Sequence, residues 1–351
     1  MKLYSTIQES SSQVSKLFIE GRQRGYYVGF ECLKDIFSII PGTTLYLYGA
    51  PFSGKTHVKY EFLMYLTEAY KWKHAVFDPE TGTKEDIIQH LIEIYTRKKF
   101  HGPNKMSEAE RMQAEMYLND YFFIIDPGME DMTIKKFYAE CEKIEKEKKV
   151  KLNTTSIDPY DDLKEDAGEF NMNSTGADYL TEVLKYARRK AKEQSWYNII
   201  VTHVRDQDKV KDRDSGIWYY PPPTPREIAK GQAWFRKGMA MVGIWRCPKG
   251  LCDDEGRPFE WNQLYFIPHK QKPKGVAING DKPPFASMFW DPDTGRYMER
   301  DEFGNYKYAQ PKPKAYLNNP QTNEKEEVTN TFMQPNTEFD EETSTTNDLP
   351  F

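Results

Sequence analysis

The sequence predicts an α/β fold with a mostly parallel sheet covered by helices on both faces, and three observations carry that reading. Apolar runs of strand length alternate with helical stretches between residues 44 and 203, a spacing that calls for parallel strands joined by crossover helices. The first run, Leu45 to Tyr48, feeds Gly49-Ala50-Pro51-Phe52-Ser53-Gly54-Lys55-Thr56, the G-x-x-x-x-G-K-[ST] phosphate loop in its strand-to-helix setting. Beyond residue 205 the pattern changes to proline-rich loops and short strands, a β-extension added to the parallel core.

Each element has its own signal. Residues 5–22 are serine-rich, then set Val14, Leu17 and Phe18 at helical spacing before Gly21, which predicts a short amphipathic helix. Gly29-Phe30 and an apolar run to Ile40 lead to Pro41-Gly42, the turn that launches the phosphate-loop strand. A helix runs from Thr56 to about Tyr70, and a second strand, His74 to Phe77, ends in Asp78-Pro79-Glu80. Thr83 with Asp86 and Ser107 with Glu110 have capping-box spacing, so each opens a helix. Ile87, Ile88, Leu91, Ile92 and Tyr95 mark the buried face of the first, and the second ends near Leu118. Tyr121 to Ile125 is a third strand, closed by Asp126-Pro127-Gly128. A lysine-rich helix, Thr133 to Lys149, precedes a fourth strand, Leu152 to Ile157, which ends in Asp158-Pro159-Tyr160. The helix Ala177 to Gln194 leads to a fifth strand, Trp196 to Val201, ending at Thr202-His203. Met239 to Trp245, Gln263 to Ile267 and Ser287 to Trp290 read as strands of the extension, with Asp291-Pro292-Asp293-Thr294-Gly295 as a turn.

Composition bounds the class. The 351 residues suffice for a large core, and the net charge of -5 is unevenly spread. From Glu324 to Phe351 eight acids face Lys325 alone, so of 54 acidic and 49 basic residues the rest of the chain keeps 46 and 48. A near-neutral body binds nucleic acid only through a local patch. From about Pro311 the chain is poor in hydrophobics and is expected to be a disordered acidic tail. Four scattered cysteines form no disulfide framework, and Cys247 and Cys252 lack the further ligands of a zinc site, so they read as free loop thiols. With no apolar signal region or membrane-length run, the expectation is a soluble cytoplasmic protein.

The chemistry starts from the loop. Glycines let backbone N–H groups curl round phosphates, Lys55 reaches the β- and γ-phosphates, and the Thr56 hydroxyl ligates Mg²⁺. Hydrolysis also needs a carboxylate to order the metal's shell and a group to orient the attacking water. Glu80, Asp126 and Asp158 all stand at strand ends, where such groups belong in a parallel sheet. By pattern alone Asp126, after the apolar Tyr121 to Ile125, is the better metal-side acid, and each of the three could equally be a turn residue beside proline. Residues 205–236 interleave Arg205, Lys209, Lys211, Arg213, Arg226, Lys230 and Arg236 with Trp218, Tyr219 and Tyr220. That mixture, with Gly231 beside Lys230, suits a single-stranded DNA channel, phosphates on the cations and bases on the aromatic faces.

Taken together, Gly29-Phe30, the phosphate loop, Asp78-Pro79-Glu80, Ser156-Ile157-Asp158-Pro159-Tyr160, Ile199-Ile200-Val201-Thr202-His203 and Asp291 to Tyr297 resemble the landmarks of one family. It is the RecA-like motor domain of hexameric replicative DNA helicases, in the Twinkle and phage primase-helicase branch of the DnaB superfamily. The resemblance covers roughly residues 5 to 300. It implies ATP or another triphosphate with Mg²⁺, Glu80 as the water-activating acid, Asp158 as the metal-side aspartate and His203 as the γ-phosphate sensor. Asp126 would then do no chemistry. It also implies a homohexamer with a basic finger reaching the neighbour's nucleotide. Here His269-Lys270-Gln271-Lys272-Pro273-Lys274-Gly275 puts lysine where the family has arginine, so Lys270 and Lys272 are the candidates, without arginine's planar fork. The implied domains are a linker helix over 1–24, the motor over 25–310 and a tail over 311–351, with no primase domain and a phage-like replication setting. The tail's end, Asp348-Leu349-Pro350-Phe351, resembles that of bacterial single-stranded-DNA-binding proteins, which implies capture of replication proteins. A generic solubilising tail is the alternative. For the whole chain the alternatives are a RecA-type recombinase and a nucleotide-gated loader or adaptor.

Overall fold

A computed structural model describes residues 4–21, 25–205, 207–272 and 283–310. The acidic tail, its terminal Asp348 to Phe351, and Pro273 to Gly275 lie outside the described residues. The chain divides into two units, one of Met1–Gln23 with Pro313–Phe351 and one of Arg24–Lys312. In the first, α1 (Ile7–Glu20) is opened by a capping box between Thr6 and Glu9, the arrangement that satisfies two orphan N–H donors at once.

The second unit is built on one ten-stranded sheet. In chain order its elements are β1 (Thr44–Gly49), α2 (Lys55–Tyr70), β2 (His74–Phe77), α3 (Lys84–Thr96), α4 (Glu108–Asn119), β3 (Phe122–Ile124), α5 (Ile134–Lys148), β4 (Thr154–Ile157), α6 (Ala177–Gln194) and β5 (Tyr197–His203). A hairpin of β6 (Val210–Lys211) and β7 (Trp218–Tyr219) follows, then α7 (Gly231–Lys237), β8 (Ala240–Arg246), β9 (Gln263–Gln271), β10 (Ala286–Asp291), β11 (Arg296–Arg300) and β12 (Tyr306–Tyr308). The sheet order is β12-β11-β10-β9-β8-β1-β5-β4-β2-β3. Strands β8 to β3 pair in parallel, and β9 to β12 continue from β8 as an antiparallel meander.

Alternation along β1 and β5 separates the two faces. Leu45, Leu47, Tyr197, Ile199 and Val201 pack with Val58, Phe62 and Leu66 of α2 and Leu91 of α3. Tyr46, Tyr48 and Ile200 pack on the other face with Phe137 and Tyr138 of α5, Leu180 and Leu184 of α6 and Trp234 of α7. The extension is tied to the phosphate-loop helix by a buried ion pair. Arg296 of β11 donates to both Glu61 oxygens at 2.9 Å, and the Tyr297 backbone N–H adds a bond of 3.1 Å. That bond sets the Tyr297 hydroxyl 2.6 Å from where a Cβ on Gly54 would stand.

Two expectations need correction. Ile88 is not on the buried face of α3, being 40% exposed, and Ile94 takes its place, because the stripe advances by three or four residues from Ile87. The third strand is a three-residue edge strand, half-buried at Phe123 and Ile124, so its apolar run does not mark a central position. Cys247 and Cys252 are both free, as expected, with Cys247 buried just after β8 and Cys252 exposed, and burial pushes the Cys247 thiol well above the usual range. Among the described residues no group of three or more histidine, cysteine or carboxylate side chains is placed to hold a metal ion, and no helix is long and apolar enough to cross a membrane.

Candidate nucleotide site

The parallel register brings the chemistry to one edge. Gly49 of β1 pairs with His203 of β5, and Phe77 of β2 with Ile157 of β4, so the residues that follow these strands emerge together. Gly49 cannot be replaced, since a Cβ there would lie 2.3 Å from the Ile244 carbonyl oxygen. Gly54 caps α2 with a φ of 98°, left-handed backbone that favours glycine. Lys55 is buried, and its Nζ donates to the Gly49 and Ala50 carbonyls at 3.2 and 3.0 Å. Burial lowers its pKa to about 8, against the pull of Asp158, Glu80 and Asp161.

Asp158 lies under Thr56 in a buried cluster that the sequence did not announce. Lys59, one turn beyond Lys55 and fully buried, donates to Asp158 Oδ2 at 2.7 Å and Asp78 Oδ2 at 2.6 Å. Tyr60 adds a bond to Asp78 at 2.5 Å. Burial raises the Asp158 carboxyl, whereas Lys59 and Tyr60 outweigh burial at Asp78 and hold it low. Two carboxylates around one ammonium leave a net negative charge. Asp158 Oδ1 has no hydrogen-bonding partner, and Lys59 first, then Thr56, favour its ionised form against burial and the Asp78 charge. An anionic oxygen with a free lone pair beside a phosphate-loop threonine fits the water shell of Mg²⁺. Lys59 follows Lys55 by one helical turn and therefore shares its face of α2, and that spacing was the signal that could have revealed it.

Glu80 and His203 meet across the same edge, with Oε2 and Nε2 3.2 Å apart. Asp126, by contrast, is exposed and accepts from the Gly128 N–H at 2.9 Å, an Asx turn that ends β3.

No protein-family model matches the chain. A curated protein of Arabidopsis thaliana, described as a chloroplastic and mitochondrial Twinkle homolog, is 24% identical over 290 residues, 80% of this chain. The chain spans only 37% of that relative's length. Among solved structures, an isolated ATPase domain superposes with a TM-score of 0.61 at 13% identity, over 85% of this chain and all of the other. A DnaB-like replicative helicase, solved in a study of its interactions with primase, gives 0.59 at 14%, over 85% of this chain and 68% of the other. The fold is RecA-like, shared with these two ATPase domains.

Within this RecA-like frame the remaining candidates fall in distinct places. Lys209 is exposed, its Nζ 5.1 Å from the centre of the Tyr220 ring, and Lys211 is exposed on β6, which pairs with Trp218 of β7. Arg205 is held by Asp161 at 2.5 Å and Lys230 by Glu165 at 3.2 Å. Gly231 is not on the surface with them. It is buried at the start of α7, where a Cβ would stand 2.5 Å from the Pro225 carbonyl oxygen. Lys270 turns to the Phe235 carbonyl and lies over the Phe235 ring, while Lys272 is exposed just beyond β9. A half-buried aromatic cluster unnoticed in the sequence follows the loop, with His57 edge-on to Trp290 at 5.8 Å and to His90 at 4.9 Å between ring centres.

Proposed function

We propose that the chain is the ATP-driven motor of a replicative DNA helicase, moving along single-stranded DNA and separating duplex strands. The observation that carries it is the Glu80–His203 contact of 3.2 Å beside the phosphate loop. A water-activating acid that touches the strand leading to the cationic loop joins hydrolysis to strand binding. On nucleotide binding Lys55 exchanges the Gly49 and Ala50 carbonyls for phosphate oxygens, and the first turn of α2 offers its free N–H groups. Thr56 and Asp158 would hold Mg²⁺, which supplies charge neutralisation on the β- and γ-phosphates. Glu80 orients the attacking water and accepts its proton. In this reading His203 senses the γ-phosphate, and Lys209 and Lys211 contact the strand.

The working assembly in this reading is a homohexamer, with Lys272 or Lys270 of each subunit completing the next nucleotide site. Lys270 is already committed to the Phe235 carbonyl, which favours Lys272 for that role. The same observation supports a second reading, a nucleotide-gated loader that turns over slowly because its finger is a lysine without a bidentate fork. Hydrolysis of ATP with Mg²⁺, measured with and without single-stranded DNA and paired with electron micrographs, separates the readings. Strand-stimulated turnover by closed rings is the expected result. Filaments would favour a recombinase, and tight nucleotide binding without turnover would favour the loader.

A further inference from the structure

We propose that Asp161 is a positioning residue that couples strand binding to turnover, by holding Arg205 until a DNA phosphate takes its place. The inference rests on the helicase reading above. Asp161 lies in the 3-10 turn Tyr160–Asp162, directly after Asp158-Pro159. Its Oδ2 accepts from the Thr202 hydroxyl at 3.3 Å and the His203 backbone N–H at 3.4 Å, and its Oδ1 accepts from Arg205 at 2.5 Å. One carboxylate therefore touches the end of β5, whose His203 ring meets Glu80, and the first residue of the cationic loop.

The loop is anchored at that same point. The Arg205 N–H donates to the Glu227 carbonyl at 3.0 Å and Val204 bridges to Ile228. Gln207 donates to the Pro221 carbonyl at 2.7 Å. A movement of Arg205 consequently reaches the base of the segment that carries Lys209 and Lys211. The Arg205 side chain is 59% exposed and that of Asp161 22%, so the pair is solvated and weak, and a phosphate can displace the carboxylate. Phosphate on Arg205 frees Asp161 Oδ1 and loosens its hold on Thr202 and His203. The His203–Glu80 contact is then reset from the DNA side. An internal partner that must be given up lowers the strand affinity of the resting protein, and by linkage nucleotide and strand affect each other's binding equally.

The test is the ratio of strand-stimulated to strand-free ATP turnover in wild type, Asp161→Asn, Arg205→Gln and the double variant, with strand affinity measured alongside. Asp161→Asn is close to isosteric and Arg205 is exposed, so all four proteins fold. Asp161→Asn is expected to tighten strand binding and move strand-free turnover towards the stimulated value, lowering the ratio about two- to fivefold, the range for an exposed ion pair. In the Arg205→Gln background the Asp161→Asn change should have no further effect on the ratio, and Asp161→Glu should restore part of it. A purely structural role would give additive effects. Additive effects, or an unchanged ratio for Asp161→Asn in a protein whose wild type responds to DNA, overturn this inference alone. A wild type that hydrolyses ATP with no response to DNA overturns the helicase reading and the coupling with it.

Discussion

In the proposed function Lys55 serves binding and Glu80 turnover, and the two can be separated by experiment. Glu80→Gln keeps the side chain's shape and removes its basicity, so nucleotide should bind normally while turnover falls by at least about two orders of magnitude. A variant that still hydrolyses at the wild-type rate would remove Glu80 from the chemistry. Lys55 carries a pH signature. Its pKa is lowered to about 8 by burial, and phosphate needs the ammonium form, so binding at higher pH must take up a proton. Affinity for a non-hydrolysable analogue should hold below that pH and weaken above it, approaching about tenfold per pH unit. A flat profile up to about pH 9.5 would contradict the shift. Residues of the loop were legible because the motif requires their types at a fixed local spacing. Asp158 was not, since Thr154-Thr155-Ser156 is a poor strand by pattern and only resemblance preferred it to Asp126. Lys59 and Asp161 bond to partners 99 and 44 residues away, respectively, contacts that no local pattern encodes.

Among the elements, the β6–β7 hairpin and its flanks bear the strand-binding prediction. Reversing Lys209 and Lys211 to Glu should weaken single-strand binding and flatten its salt dependence by about 0.7 in log–log slope for each phosphate no longer neutralised. An unchanged slope in a salt titration would put the strand elsewhere. Strand-free turnover should persist, because both side chains are exposed and neither contacts Lys55, Glu80 or Asp158. Helix starts were read correctly where a side chain caps its own helix. Thr83 and Asp86 bond reciprocally, with Asp86 Oδ2 accepting the Thr83 N–H at 2.8 Å, and Ser107 and Glu110 do the same. Elements that depend on distant partners were missed. The short β6 and β7 and the seven-residue α7 lack a periodic signal, and no strand was read at β11 after the turn at Asp291 to Gly295. The apolar run at Phe122–Ile124 sits on a sheet edge because β2 already has β4 on its other side.

For the whole molecule, the sheet and its two packed faces were foreseen from alternation, whereas the strand order, with β1 between β5 and β8, emerges only from tertiary pairing. The same packing buries histidines in neutral form. Burial lowers His74 and His90 to about 3 and His269 to about 4. Their unfolded values lie near 6.5, so the unfolded chain takes up protons first as pH falls below that value. Stability should therefore be full above about pH 6.5 and decline below it, with His74 alone contributing at most about 2 kcal/mol of loss near pH 5. A denaturation midpoint that does not fall between about pH 7 and about pH 5 would contradict this. The central claim is that nucleotide hydrolysis at this site drives strand separation. Its most direct test is unwinding of a forked DNA duplex with ATP and Mg²⁺ by the native protein and by Lys55→Ala. Unwinding by the native protein alone is the predicted result, and a native protein that leaves the fork intact while hydrolysing ATP would contradict the account.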